Sequence, residues 1–344
     1  MVLLARSRFM LLFLLLAPGR ASSQPWRAPQ GIATTRTLSI GGGTIEVDFA
    51  NGPPLDLTID QVMAHIRAAA TAVTAYYGRF PLSHDRILVI PAENQRGDAI
   101  HGTTWGGMDG AQGFTRLRIA QHATMQDLAD DWVTTHELVH GAFPSMPDDQ
   151  HWIEEGLATY IEPLARVMTG ELQARKVWAD MVDGMPKGEP QPGDEGLDHT
   201  HTWGRTYWGG ALFCLVADVE IRRETGNRKG LRDALKAIVA AGGTIDHDWD
   251  LPRALTIGDN ATGTHVLSDM YAKWKDAPVQ VDLPKLWNEL GIRTTANGIE
   301  FVDNAPLANV REAIAGDHTK KQKLGQVSEG HDFVPGPRRS SSVG

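Results

Sequence analysis

Two short stretches decide the predicted fold: H-E-L-V-H at residues 136–140 and W-I-E-E-G-L-A-T-Y at residues 152–160. Both lie in segments whose apolar residues recur with helical spacing. On a helix, residues four apart lie on nearly the same face, so the imidazoles of His136 and His140 can reach one metal ion. Glu137 projects beside them, in the place of a general base that takes a proton from an attacking water. The alternative is a solvated helix face that carries two histidines by chance.

A catalytic zinc site needs a third protein ligand and an open position for water. A third histidine two turns further along is excluded, because Phe143 and Met146 occupy the required Gly and His positions. A carboxylate on the second helix can complete the set, and periodicity does not choose between Glu154 and Glu155. The residues therefore predict one zinc ion, held by the two histidines and one of these carboxylates.

The two stretches together resemble the motifs of the gluzincin metallopeptidases, most of all those of the glycyl aminopeptidases and the alanyl/leucyl aminopeptidases. In those families the second motif has the form W-[LI]-x-E-G-[FL]-A-x-Y, and its Glu is the third zinc ligand. The resemblance implies that the third ligand is Glu155, with Zn²⁺ as the cofactor and peptides or proteins as substrates. Fourteen residues separate His140 from Glu155, fewer than is usual in the alanyl/leucyl group.

A third stretch, Y-W-G-G-A-L at residues 207–212, resembles the Y-x-K-G-A stretch of the same families. There the Tyr stabilises the oxyanion of the tetrahedral intermediate, which implies a catalytic role for Tyr207. Gly209 stands where those families usually have Lys. The alternative is a core Tyr at the start of an apolar helix.

The segment G-G-M-D-G at residues 106–110 resembles G-G-L-E-H of the glycyl aminopeptidases and G-A-M-E-N of their relatives. The resemblance implies that Gly106 and Gly107 bind the substrate through the strand backbone and that Asp109 helps to hold its free α-amine. Asp109 is one methylene shorter than the Glu of those families, so endopeptidase action stays open beside aminopeptidase action. A plain glycine-rich turn is the alternative.

The overall pattern predicts an α+β fold, with strands before residue 124 and helices after it. Residues 24–123 form a predicted strand-rich lobe with one helix, and residues 124–315 a predicted helical catalytic lobe. The resemblance implies a thermolysin-like two-lobed zinc peptidase domain with the site in the cleft. The predicted strands lie at 37–50, 86–90 and 117–120, and the predicted helices at 60–77, 125–142, 152–168, 171–182, 205–224, 228–240, 265–275, 283–290 and 307–315.

The two ends of the chain differ from this body. Residues 1–23 carry Arg6 and Arg8, then nine apolar residues, and then small residues near a cleavage site at 21–23. This pattern is typical of a secretory signal peptide. A membrane anchor is the alternative, but nine residues are too few for a span, which needs about 20. The sequence therefore predicts export to the periplasm or the medium and no integral membrane span after signal removal. Residues 316–344 are predicted to be a disordered tail.

Composition excludes several classes of function. The net charge of −9, without a basic patch, argues against nucleic acid as a partner. Cys214 is the only cysteine and lies in an apolar run, which argues against a thiolate metal site and a cysteine protease. Two non-enzymatic alternatives remain: an envelope binding protein that zinc only stabilises, and a metal-storage protein, for which His199 and His201 are the nearest sign. The presence of Glu137 argues against the first, because a binding module needs no general base.

Overall fold

A computed structural model describes residues 31–93, 98–108 and 110–316. The predicted signal peptide at 1–23 and the predicted tail from residue 317 onward lie outside the described residues. Within the described part, no helix is both long enough and apolar enough to cross a bilayer.

Five strands form one sheet in the N-terminal part: β1 (Ile32–Ile40), β2 (Gly43–Ala50), β3 (His84–Ala92), β4 (Ile100–Gly106) and β5 (Gly113–Ala120). Their order across the sheet is β1-β2-β3-β5-β4. The three central strands are parallel, and the two outer strands are antiparallel to their neighbours. Alternate residues of β2, such as Ile45 and Val47, are fully buried, as expected for a strand with one face on the core. β4 is an edge strand, and this places it beside the site described below.

Helix α1 (Ile59–Tyr77) connects two parallel strands, β2 and β3. Its start is stabilised by a capping box between Thr58 and Gln61, and Gly78 ends it with a left-handed φ of +80°. Val62, Ile66 and other apolar residues of one face are buried. The helix predicted at 60–77 is therefore confirmed.

The chain is mainly helical from residue 125 onward, as predicted. The helices are α2 (Met125–Asp130), α3 (Val133–His140), α4 (His151–Thr169), α5 (Ala174–Gly184), α6 (Gly210–Glu224), α7 (Leu231–Ala240), α8 (Leu251–Thr262), α9 (Val266–Trp274), α10 (Leu283–Leu290) and α11 (Ala308–Ala315). Two short 3₁₀ turns cover Asp148–Gln150 and Met185–Gly188, and a π-helical segment covers Gly204–Gly209. A small hairpin consists of β6 (Ile292–Thr295) and β7 (Gly298–Phe301).

The single helix predicted at 125–142 is in fact two helices, α2 and α3. Between them Asp131 takes extended backbone angles, and its carboxylate accepts hydrogen bonds from the N–H groups of Val133 and Thr134 at 2.9 and 3.1 Å. His65 of α1 contacts the same carboxylate at 2.8 Å. Because Asp131 satisfies N–H groups that the start of α3 leaves free, the chain begins a new helix here. Hydrophobic periodicity carries no information about such a cap.

Three elements, β4, α8 and the β6–β7 hairpin, have no counterpart among the predicted elements. β4 contains Gly102 and Gly106, and glycine is depleted in strands. α8 contains Gly258, Asp259 and Asn260, which are poor helix formers. Its apolar residues Leu251 and Leu255 are buried, and the helix packs against α7. Packing against a neighbour therefore overrides the local preference. The hairpin strands have four residues each, too few for a clear alternating pattern.

Helix α4 is central to the helical part and contacts α1, α3 and α6. One continuous cluster of buried apolar side chains connects the sheet, α4 and the C-terminal helices. The α4–α6 contact depends on glycine, since a Cβ at Gly156 would lie 2.3 Å from the Cα of Gly210. Gly156 is the Gly that follows Glu155 in the second motif, so helix packing accounts for its presence there.

A buried carboxyl on β3 makes the stability of the protein depend on pH. Asp85 is only 2% exposed, and burial raises its pKa to about 7, although the N–H of Arg86 bonds to it at 2.9 Å. The folded state therefore keeps this proton to a higher pH than the unfolded chain, and stability falls as the pH rises from about 4 through 7. Asp85→Asn should be more stable than the wild type at pH 8, by up to about 4 kcal/mol. This advantage should shrink towards pH 4, as measured by urea unfolding.

Asp48 provides a matched control for this prediction. It is also buried, but it pairs with Arg86 at 2.6 Å and accepts a hydrogen bond from Thr35. Asp48→Asn should therefore destabilise the protein at pH 8, because it removes one partner of a buried ion pair. An Asp85→Asn protein no more stable than the wild type at pH 8 would contradict the assignment.

Candidate metal centre

The short helix α3 packs against β4, α1 and α4. Every residue from Val133 to Val139 is buried; His136 is 3% exposed and Glu137 8%. A solvated helix face that carries two histidines by chance does not describe this helix. Polar groups so enclosed need partners, yet Nδ1 of His136 has no hydrogen-bond partner among the described residues.

Three potential metal donors meet between α3 and α4. The Nε2 atom of His136 lies 3.0 Å from Oε2 of Glu155, and Nε2 of His140 lies 3.8 Å from the same oxygen. One donor atom from each of the three residues lies within 4.8 Å of the other two. Glu154 is directed elsewhere, with its carboxylate 3.0 Å from Nδ1 of His151. Of the two carboxylates that periodicity left open, Glu155 is the one beside the histidines.

The electrostatics of these groups fit a divalent cation. Burial lowers the pKa of His140 to about 4, so its imidazole is neutral at pH 7, as a metal ligand must be. Burial alone would raise the pKa of Glu155, but hydrogen bonds with His136 and His151 hold it well below its usual range. Burial lowers the pKa of His136, and its contact with Glu155 more than offsets that effect. A divalent cation bound beside these residues would balance the negative charge of Glu155. Two imidazoles and one carboxylate form a donor set found in catalytic zinc sites.

Glu137 is not part of this donor group and contacts strand β4 instead. Thr104 donates a hydrogen bond of 2.7 Å to its Oε2 atom, and Gly102 lies against its side chain. Burial raises the pKa of Glu137, although the charge of His136 and the hydrogen bond from Thr104 lower it in part. Gly102 and Thr104 were not identified from the sequence, because no local pattern relates a strand residue to a helix residue more than 30 positions away.

Tyr207 lies in the π-helical segment Gly204–Gly209, not in the regular helix that periodicity predicts there. Its ring stacks on that of His136 with centroids 6.2 Å apart. Burial and the charges of Glu155 and Glu137 raise the pKa of Tyr207. The phenol therefore stays protonated and can donate a hydrogen bond. Single π turns inside helices occur frequently at functional sites.

Two exposed tryptophans flank these rings. Trp132 is 45% exposed and meets His136 edge to face at 5.2 Å. Trp203 is 58% exposed and stacks on Tyr207 at 5.8 Å. Neither was identified as a site residue from the sequence. The two rings therefore place apolar surface beside His136 and Tyr207.

His151, the first residue of α4, contacts the other oxygen of Glu155. Its Nε2 atom lies 3.1 Å from Oε1 of Glu155. Hydrogen bonds with Glu154 and Glu155 raise the pKa of His151 to about 10. The spacing of four residues between His151 and Glu155 on a helix is a sequence signal that identifies such a neighbour.

Two glycines of the glycine-rich segment lie at the end of β4 and directly after it. Gly106 ends β4 and lies against the backbone of Ile245, whose carbonyl oxygen would be 2.0 Å from an added Cβ. Gly107 has a φ of +65° and donates its N–H to the carbonyl of Gln112 at 2.9 Å. Asp109 lies outside the described residues. The substrate-binding roles of Gly106, Gly107 and Asp109 therefore stay predictions.

The histidines that a metal-storage role would need do not form a cluster. His199 pairs with Asp276 at 2.9 Å, and His201 is exposed. Within the described ranges, His136, His140 and Glu155 are the single group of three or more such side chains arranged to hold a metal.

No protein-family model and no curated protein matches this sequence. Solved structures do match its fold. An aminopeptidase N family protein from Idiomarina loihiensis aligns over 75% of this chain and 49% of its own, with 13% identity and a TM-score of 0.55. An M1 zinc metallopeptidase from Deinococcus radiodurans aligns over 73% of this chain and 53% of its own, with 17% identity and a TM-score of 0.46. The chain thus spans about half the length of the structures it matches.

The match to the Idiomarina protein shows a shared fold, with a strand-rich sheet followed by helices. At 13% identity this likeness concerns the fold alone. The chemistry depends on the side chains that meet between β4, α3 and α4.

Proposed function

We propose that this protein is a zinc metallopeptidase that hydrolyses peptide bonds, with one Zn²⁺ held by His136, His140 and Glu155. The observation that carries the proposal is the convergence of these three donors beside a separate buried carboxylate, Glu137. A binding protein that zinc only stabilises has no use for that additional carboxylate. Hydrolysis needs one, as an acceptor for the proton of water.

The side chains around the site have distinct roles in this proposal. When bound, zinc supplies a Lewis acid that polarises the scissile carbonyl and promotes ionisation of water. Glu137 accepts the proton of the attacking water and later delivers it to the leaving amine. Tyr207 donates a hydrogen bond to the oxyanion that develops on the substrate. Trp132 and Trp203 offer apolar surface to the side chains of the peptide.

The wider proposal is a gluzincin peptidase with a thermolysin-like, two-lobed domain. The order of the two motifs supports it, as does the position of α3 between an edge strand of the sheet and α4. We include export to the periplasm or the medium, because residues 1–23 have the composition of a signal peptide. A peptide or protein met outside the cytoplasm would then be the substrate.

Aminopeptidase action is the first expectation, from the resemblance around Gly106, Gly107 and Asp109. One observation favours endopeptidase action as the second candidate function. The two β4 residues in contact with Glu137, Gly102 and Thr104, carry no carboxylate that could hold a free α-amine. A substrate that lies along these two residues would need no free α-amine, which fits cleavage of internal peptide bonds.

A mixed peptide pool tests the proposed activity. The purified zinc-loaded protein should release products that are absent when Glu137→Gln replaces it, as read by mass spectrometry. Loss of single N-terminal residues would establish an aminopeptidase, and internal cuts an endopeptidase. A protein that holds one zinc per chain and cleaves no peptide would contradict hydrolysis and favour a zinc-stabilised binding protein.

A further inference from the structure

We propose that Thr104, with Gly102 on the same strand face, is a positioning residue that holds the Glu137 carboxylate for proton transfer. This inference rests on the proposed function, because it assigns a task to the neighbours of the proposed base. It gives the edge strand β4 a role in catalysis, through the hydroxyl of Thr104 and the space that Gly102 leaves free.

The hydrogen bonds around Thr104 define the orientation of its hydroxyl group. The oxygen lies 2.7 Å from Oε2 of Glu137, 3.0 Å from the hydroxyl of Thr115 and 3.2 Å from the backbone carbonyl of Glu137. A hydroxyl has one proton to donate and two lone pairs to accept with. Thr104 donates its hydroxyl hydrogen to the carboxylate of Glu137, which is its shortest contact, because hydrogen bonds to charged acceptors are the strongest. Thr115 then donates to Thr104, which completes a chain from Thr115 through Thr104 to Glu137.

The sheet holds this series of hydrogen bonds rigidly. Thr104 and Thr115 are direct partners across the antiparallel β4–β5 pair. Thr115 is buried, and Thr104 is partly buried. The backbone ladder fixes the positions of the two residues, and a β-branched side chain has few χ1 rotamers, so the two hydroxyls are held close together. A site on rigid elements positions a reacting group better than a loop does.

Gly102 determines where the rest of the Glu137 side chain can lie. A Cβ at Gly102 would be 2.3 Å from Cγ and 2.8 Å from Oε1 of Glu137, closer than such contacts occur. Residues two apart on a strand share a face, so Gly102 and Thr104 meet the same side chain. The absence of a side chain at Gly102 lets Glu137 lie flat against β4, where Thr104 binds Oε2. Oε1 is then left as the oxygen that accepts the proton of water.

The central test compares three variants of adjacent threonines. Thr104→Val removes the hydroxyl and keeps the shape, and Thr104→Ser keeps the hydroxyl. Thr103→Val is the matched control, because Thr103 lies on the opposite strand face and its hydroxyl bonds to the carbonyl of Gly102. Thr104→Val should lower kcat by about 10- to 100-fold, with KM, zinc content and Tm close to wild type. Thr104→Ser should restore most of kcat, and Thr103→Val should match the wild type.

Two further variants test the parts of the arrangement separately. Thr115→Val should lower kcat less than Thr104→Val does. The double mutant should have nearly the same kcat as Thr104→Val alone, because both hydroxyls act through one series of hydrogen bonds. Gly102→Ala should also lower kcat, and no second substitution at residue 104 should restore it, because the added methyl group displaces Glu137 directly.

The outcomes separate this inference from the proposed function. If the wild type cleaves peptides and Thr104→Val has the same kcat, the positioning role is wrong and the peptidase assignment stands. If Thr104→Val and Thr104→Ser lose zinc or Tm to the same extent, Thr104 is structural and the inference is again wrong. If the zinc-loaded wild type cleaves nothing, the proposed function fails and this inference fails with it.

Discussion

Glu137→Gln should lower kcat for peptide hydrolysis by about 10³-fold, while the zinc content stays at the wild-type level. The amide has nearly the shape of the carboxylate, so the packing against Gly102 and β4 is kept. It cannot accept a proton from water at neutral pH, which removes general-base catalysis. Because Glu137 lies outside the group formed by His136, His140 and Glu155, the affinity for zinc should change little. Steady-state kinetics and metal analysis on the same sample measure both quantities.

Glu220→Gln is a suitable control for the loss of one negative charge. Glu220 lies on α6 and pairs with Arg223 at the surface, 3.0 Å away. This variant should have wild-type kcat and KM. A Glu137→Gln enzyme that keeps more than a tenth of the wild-type kcat would show that another group accepts the proton.

Glu155→Ala should reduce the affinity for zinc by more than 100-fold and abolish hydrolysis. Loss of an outer hydrogen-bond partner of a metal ligand typically costs 10- to 100-fold, and loss of a ligand removes a bond to the metal itself. The substitution also leaves His136 and His140 without their shared carboxylate. Zinc per chain, measured after equilibration against a zinc-buffering chelator, gives the affinity directly.

Thermal unfolding supplies a measurement that does not depend on activity. Zinc at 100 times its dissociation constant should stabilise the wild type by about 2.7 kcal/mol, and it should raise the Tm of Glu155→Ala much less. Glu154→Ala is the matched control, because the neighbouring carboxylate contacts His151 and is not part of the donor group. Full zinc occupancy in Glu155→Ala, or loss of zinc in Glu154→Ala, would reverse the choice between the two residues.

The sequence alone predicts that His136, Glu137 and His140 belong to one site. Their spacing is local, and the geometry of a single helical turn determines which side chains meet. The helical character of the second half and the helix after β2 follow from local patterns for the same reason. Periodicity did not separate Glu154 from Glu155, since both lie near the solvent-facing side of a helix considered by itself. The family resemblance selected Glu155, and the structure places that carboxylate beside the histidines.

How these elements meet depends on contacts between residues that are far apart in the sequence. Asp131 separates α2 from α3 through contacts that include His65 of another helix, and Gly156 lets α4 approach Gly210. The hydrogen bond from Thr104 to Glu137 spans 33 positions of the chain. A sequence pattern reports which face of one element is apolar, but it does not identify the residues of the element that packs there. Those partners depend on the packing of the whole core, and packing determined the immediate surroundings of the proposed base.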